Sequence, residues 1–199
     1  MGSFADALRA LNSMKAEGVV EDYAVAGAMA LVFWTEPVAT YDLDVLVFLP
    51  KSNSPVVTLE PVYEWARNHG FVPKDEHLLI AGVPTQLLPS PNALADEAIR
   101  DAANLEYEGV PVRVVRPTYA RVDWMRSSSV MGSQSDRPRP SPELVGRLRQ
   151  GKDALREHRR AMSLRDKVRQ VLELQRVQLP LLARQRPLRW WERPWDVEP

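Results

Sequence analysis

Two stretches decide the fold: YAVAGAMALVFW at residues 23–34 and TYDLDVLVFL at residues 40–49. The first is a short apolar run, Tyr23 to Ala26, that stops at Gly27 and resumes as an Ala/Met/Leu-rich segment. That pattern predicts a strand turning directly into a buried helix, which Pro37 ends. The second, from Leu43 to Leu49, is strongly β-prone and ends at Pro50, so it predicts a strand. Residues two apart in an extended chain share a face, so Asp42 and Asp44 present their carboxylates to one side while Leu43 and Val45 turn to the other. Two carboxylates that close repel unless a cation lies between them, and hard oxygen donors suit Mg²⁺. Gly27, just ahead of a helix N-terminus, lets backbone N–H groups and the helix dipole approach a phosphate closely. The alternative without chemistry is an Asp42 that caps a turn and an Asp44 that charges an edge strand.

Working outward, Phe4, Leu8, Leu11 and Met14 recur at helical spacing behind Ser3, with Asp6 three positions on, which predicts a capped amphipathic helix closed by Gly18. Lys51 to Pro55 reads as a polar loop, and Thr58 caps a helix to about Asn68. His77–Ala81 and Pro84–Leu88 read as a hairpin around Gly82-Val83, and Asn92 caps a helix to about Ala103. Leu105–Tyr107 and Val110–Val115 form a second hairpin around Glu108-Gly109, and Pro117 starts a helix to about Met125. The order α, β, α, β, α, ββ, α, ββ, α describes an α/β (α+β) domain, a mixed sheet with flanking helices over about residues 1–122.

Residues 127–142 carry Ser-Ser-Ser and then Arg-Pro-Arg-Pro-Ser-Pro, a Ser/Pro-rich linker that buries little apolar area. Residues 143–199 form an Arg-rich helical extension. Glu143–Arg160 and Leu164–Leu179 read as helices; Ser163 caps the second, Leu164, Val168, Val171, Leu172, Gln175 and Leu179 line one side of it, and Pro180 ends it. The tail from Arg186 to Pro199 holds three Trp and three Pro, too irregular for helix or strand and too aromatic to leave in water.

The 199 residues carry 26 bases and 26 acids, yet the neutral total conceals a split. Residues 1–115 hold 16 acids against 7 bases, and residues 116–199 hold 10 acids against 19 bases, 17 of them Arg. Such asymmetry points to nucleic acid or to a charge match within the chain or between subunits. With no cysteine there is neither a disulfide framework nor a thiolate metal site. No apolar run approaches the roughly 20 residues of a membrane span, and the N-terminus lacks a signal-peptide pattern, so a cytoplasmic protein with no membrane partner is expected. His69, His77 and His158 stand in no metal-ligand spacing.

Residues 23–31 and 36–47, with the continuation GVPTQLLP (82–89) and YEGVPVRVV (107–115), resemble the nucleotidyltransferase superfamily with the DNA polymerase β-type fold. Within it, the sequence most resembles the small bacterial proteins related to the AbiEii toxins of abortive-infection and toxin-antitoxin systems. The resemblance covers roughly residues 1–120. It implies Mg²⁺-dependent transfer of a nucleoside monophosphate from an NTP to a hydroxyl acceptor, an RNA or tRNA end, a protein or a small molecule. Asp42 and Asp44 would hold one or two Mg²⁺ ions, and Gly27 and Ala28 would cradle the phosphates. Thr40 would touch a phosphate or the metal shell. The resemblance also raises a cognate antitoxin as a partner.

Two positions depart from the family pattern. Ala28 stands where a second Gly or a Ser is usual. Gln86 falls where a third acid is expected, and an amide is no base and a poor metal ligand. Glu76 or Glu106 would be its substitute, and a catalytically silent fold serving as a nucleotide-binding or assembly module is the competing expectation. Arg113, Arg116 and Arg121 are candidates for triphosphate or an RNA acceptor end, with Lys51 and Lys74 behind them; Gln86 counts among the nucleotide-binding residues, and Tyr41 is a candidate to stack on a base. In the extension, Arg147, Arg149, Lys152, Arg156, Arg159 and Arg160 make a basic face beside Trp190, Trp191 and Trp195. Homo-oligomerisation through this extension, or its packing on the acidic domain, is expected ahead of RNA binding.

Overall fold

The computed structural model describes residues 2–50, 58–119 and 155–199. The chain is mixed α/β, built on one seven-stranded sheet. In order it runs β1 (Gly2–Ser3), α1 (Phe4–Ala16), β2 (Asp22–Val25), α2 (Gly27–Trp34), β3 (Leu43–Phe48), α3 (Glu60–Asn68), β4 (Val72–Lys74), β5 (His77–Ile80), β6 (Val83–Pro89), α4 (Ala93–Arg100), β7 (Ala103–Tyr107) and β8 (Val110–Val114). Residues 155–161 are helical (α5), and α6 (Leu164–Gln185) and β9 (Val197–Glu198) complete the chain. The helix expected to start at Pro117 is a turn over residues 117–119, and its continuation to Met125, the polar loop at 51–55, the linker at 127–142 and the first part of the helix expected at 143–160 lie outside the described residues.

The sheet has the order β4-β5-β6-β3-β2-β8-β7. Strand β3 is central, antiparallel to β2 and parallel to β6, and β2 is parallel to β8. Period-two alternation sorts the residues into two faces. Leu43, Val45 and Val47 are buried with Tyr23 and Val25 on one face, where the Tyr23 hydroxyl donates to Asn12 Oδ1 of α1 at 2.7 Å. Asp44 and Phe48 share the other face, and α4 lies against it with the Arg100 guanidinium 5.3 Å from the Phe48 ring.

Capping explains where the helices begin. Ser3 Oγ accepts from Asp6 N while Asp6 Oδ2 accepts from Ser3 N, and the Ser163–Asp166 pair opens α6 with the same hydroxyl-to-backbone contact. Asn92 Oδ1 accepts from Ala95 N at the head of α4.

Helix α4 ends at Arg100, so Ala103 opens β7 instead of closing the helix, and four further features differ from the sequence reading. The first hairpin turns at Ala81-Gly82, one residue early, because both adopt positive φ (50° and 91°) and close a two-residue turn. Strand β4 pairs with β5 at the sheet edge although it contains Pro73, which an edge strand tolerates. Helix α6 does not stop at Pro180 but continues to Gln185. Proline removes one backbone hydrogen bond, to the carbonyl of Arg176, and both residues face solvent, where water satisfies the freed group. Finally, the tail is not wholly irregular: β9 pairs with β1 in parallel, Gly2 opposite Val197.

The C-terminal segment shares the core of the sheet domain. Val168, Val171 and Leu172 of α6, with Trp195 and Val197, belong to the same buried cluster as Phe4, Leu8 and Tyr107. Trp195 stacks nearly parallel to Phe4, ring centroids 6.0 Å apart. Charge pairs join the two halves, with Arg156 and Arg159 on Glu36 and Arg165 on Glu108. No helix among the described residues is long and apolar enough to cross a membrane.

Candidate functional site

The turn from β2 into α2 is tight. Gly27 has φ +58°, a left-handed conformation that glycine adopts without steric cost. A methyl group at Gly27 would overlap the Asp44 Oδ2 position and lie 2.9 Å from its Cγ, so the Asp44 carboxyl rests directly on the glycine backbone. Ala26 N donates to Asp44 O at 2.9 Å and locks the end of β2 to the start of β3. Unlike α1, α4 and α6, helix α2 has no side-chain cap at its N-terminus, where Ala26 is the capping residue. Ala26 thus offers no side-chain acceptor to the first N–H groups of α2, and the Asp44 carboxyl lies beside its first residue, at the positive end of the dipole.

Asp42 lies just ahead of β3. The Thr40 hydroxyl is buried and donates to Asp42 O at 3.1 Å and to Asp42 Oδ1 at 3.2 Å. Gln86 on β6 is the register partner of Asp44, so the amide and the carboxylate point to the same face of the sheet, and the Gln86 side chain is buried. The β5–β6 register, Leu78 opposite Thr85, continues one step to place His77 opposite Gln86, and Lys74 pairs with His77 across the edge. Asp44, Gln86, His77 and Lys74 thus form one row across β3, β6, β5 and β4.

His77 is 2% exposed. Its Nε2 stands 3.7 Å from Asp42 Oδ2, and neither ring nitrogen has a hydrogen-bond partner among the described residues. Trp191 covers the imidazole with ring centroids 4.6 Å apart, and Trp190 meets it edge-on. The Trp190 indole N–H donates to Asp75 Oδ2 at 2.8 Å, and Lys74 Nζ stands 4.7 Å from the Trp190 ring.

The tail from residue 186 to 199, here the strap, clasps with α6 the backbone leading into Asp42. Fully buried Gln175 of α6 donates through Nε2 to Thr40 O at 2.6 Å and accepts at Oε1 from Trp195 N at 2.9 Å. The Trp195 indole donates to Tyr41 O at 2.9 Å, and the Tyr41 hydroxyl donates to Gln175 O at 3.2 Å. Burial, and then the negative charge of Glu192, raise the Tyr41 phenol above its ordinary range and keep it a donor. Glu192 is itself pushed down to about 2 by its hydrogen bonds from the Arg186 guanidinium.

The donor set suits a hard cation in part. Asp42 and Asp44 supply carboxylate oxygens at one end of β3, and among the described residues no group of three or more His, Asp or Glu stands ready to enclose an ion. Mg²⁺ is commonly held by one or two carboxylates with phosphate and water oxygens completing its shell, so two carboxylates beside an uncapped helix N-terminus fit that mode.

Other sequence candidates lie elsewhere. Arg113 does not reach the Asp42–Asp44 end: it pairs with Asp22, which sits opposite Phe48 at the far end of β3, and donates to Ile99 O at 2.7 Å. Arg116 pairs with Asp101. Glu106 is exposed on edge strand β7, away from β3 in the strand order, while exposed Glu76 neighbours His77. Lys51, Arg121, Arg147, Arg149 and Lys152 are outside the described residues. A groove of about 430 Å³ opens at the far end of β3, lined by Phe48, Leu49, Pro89 and Arg100 among others. Within it Ser90 donates to Asp96 at 2.5 Å, and Arg100 stands 3.8 Å from the same carboxylate.

The sequence reading names His77 and Gln175 without a place at this site, because their partners, Asp42 and Thr40, are distant in the chain. The signal that could have flagged His77 is its place beside the expected third-acid strand. The chain matches no family model, and no curated protein matches it.

Proposed function

We propose that the protein is a nucleotidyltransferase of the DNA polymerase β type, of the AbiEii-like toxin branch, transferring a nucleoside monophosphate from an NTP to a hydroxyl acceptor. The observation that carries this reading is the seating of the Asp44 carboxyl on left-handed Gly27 at the uncapped N-terminus of α2, with Asp42 two residues before it. The α2 N–H groups and dipole would receive the triphosphate. Asp42 and Asp44 would hold Mg²⁺, which supplies charge neutralisation and orientation of phosphate oxygens. The acceptor oxygen attacks the α-phosphorus, the α–β phosphoanhydride bond breaks, pyrophosphate departs, and the hydroxyl proton passes to water. Catalysis of this kind is positioning plus electrostatics, so the loss of one carboxylate should cost orders of magnitude.

Incubation of the full chain with each α-³²P NTP, Mg²⁺, and RNA or protein acceptors tests the proposal. Labelling is expected with the natural chain and is expected to vanish in Asp42→Asn with unchanged circular dichroism; equal labelling by the two would refute it. Growth arrest on expression, relieved by Asp44→Asn, would support the toxin assignment.

A second reading rests on Gln86, which presents an amide opposite Asp44 where the family places a carboxylate. In that case the fold binds nucleotide, or assembles with a second copy or an antitoxin, without turnover. Mg²⁺-dependent stabilisation by NTP without labelling would favour it.

A further inference from the structure

A buried imidazole whose two nitrogens have no partner forfeits the hydrogen bonds that water would supply, so a native protein seldom leaves one in that condition. Among the described residues His77 is in that condition, and its Nε2 looks at Asp42 Oδ2 across 3.7 Å, beyond a hydrogen bond. The gap is below the roughly 4.2 Å that two metal–ligand bonds of about 2.1 Å can span. The ring cannot easily swing away: Trp191 covers it, Trp190 abuts it, and Trp190 is tied to Asp75. The Asp42 side chain, 30% exposed, leaves one side open to water or substrate oxygens.

We propose that His77 Nε2 and Asp42 Oδ2 together ligate a divalent first-row transition ion such as Mn²⁺ or Zn²⁺, with water or phosphate oxygens at the remaining positions. Imidazole favours such ions over Mg²⁺, which prefers oxygen alone. The nitrogen donor comes from β5, the strand beyond Gln86, and so adds a ligand to the side of the site where the amide is a poor one. This inference rests on the proposed function only in taking Asp42 as the metal-binding carboxylate.

Titration of the full chain with Mn²⁺, followed by pulsed electron paramagnetic resonance, tests it without any turnover. One bound ion with ¹⁴N coupling from a directly bonded imidazole is expected. The coupling should disappear in both His77→Gln and Asp42→Asn, with affinity weakened tenfold or more. Asp42→Asn also excludes the exposed His69, whose Nε2 lies 3.5 Å from Glu17. Bound Mn²⁺ lacking nitrogen coupling, coupling that survives Asp42→Asn, or no binding would each overturn the inference. Oxygen-only Mn²⁺ together with NTP labelling would leave nucleotide transfer standing and remove the histidine ligand. Nitrogen-coupled Mn²⁺ without labelling would do the reverse.

Discussion

At Gly27 two costs coincide. Alanine there must adopt φ +58° and also displace the Asp44 carboxyl, whereas alanine at Gly70 adopts φ +75° with nothing within 4 Å of its methyl group. The left-handed conformation alone costs roughly 1–2 kcal/mol. Urea denaturation should therefore show Gly70→Ala lowering stability by about that amount and Gly27→Ala by clearly more; equal losses would mean that the Asp44 contact is soft. Tyr23 gives a pH signature. Burial pushes its phenol up to about 12, with its hydroxyl bonded to Asn12. Because the folded value lies above the unfolded value of about 10, the neutral phenol's contribution is intact below pH 10 and is lost as pH rises toward 12. A two-unit difference corresponds to about 2–3 kcal/mol. Tyr107, also raised by burial, acts in the same direction, so Tyr23→Phe should remove part of the alkaline loss measured by urea unfolding between pH 8 and pH 11.5.

Among elements, those with strong local signals were legible in the sequence. The β2–α2 turn, the β3 run and the Ser3 cap announce themselves through composition and spacing. Strand β4, three residues long with Pro73 at its centre, carries no periodicity and exists because β5 offers an edge to pair with. β1 and β9, two residues each, have no local signature and meet only because the strap returns to the N-terminus. Pro180 misleads for a different reason: proline stops a helix where its lost hydrogen bond has no substitute, and on an exposed turn of α6 water provides one. The residual penalty should still be measurable. Pro180→Ala is expected to raise the melting temperature, by an amount corresponding to no more than about 3 kcal/mol. A lower melting temperature would show that the proline sets the direction in which the strap leaves the helix.

For the molecule as a whole, the opposed charges of the two halves are joined mainly through apolar contacts. The pairs of Arg156 and Arg159 with Glu36 and of Arg165 with Glu108 lie at the surface, about half-exposed or less, and each such pair contributes about 1 kcal/mol or less. Trp195 is 2% exposed and fills a place beside Phe4 in the common core, where truncation of a tryptophan costs about 3–5 kcal/mol. Trp195→Ala should therefore destabilise the chain severely, while Arg165→Ala changes it by less than about 1 kcal/mol, and this ordering should persist in high salt; denaturation at two ionic strengths checks both. The sequence by itself determined the local matters: a glycine turn into a helix, two aspartates of the same parity beside a β-prone run, the caps, and the separation of acid from base. Each depends on spacing within a few residues, where backbone geometry is nearly obligatory. Only the tertiary structure decided which groups gather around Asp42. Arg113, a reasonable phosphate ligand on paper, is drawn to Asp22 at the opposite end of β3 by strand register. His77, isolated in the sequence, faces Asp42 because β6 and β5 lie next to β3 in that order. Gln175 and the tryptophans of the tail reach the same corner because apolar burial folds the last helix back onto the first strand and helix, and no spacing rule encodes that return.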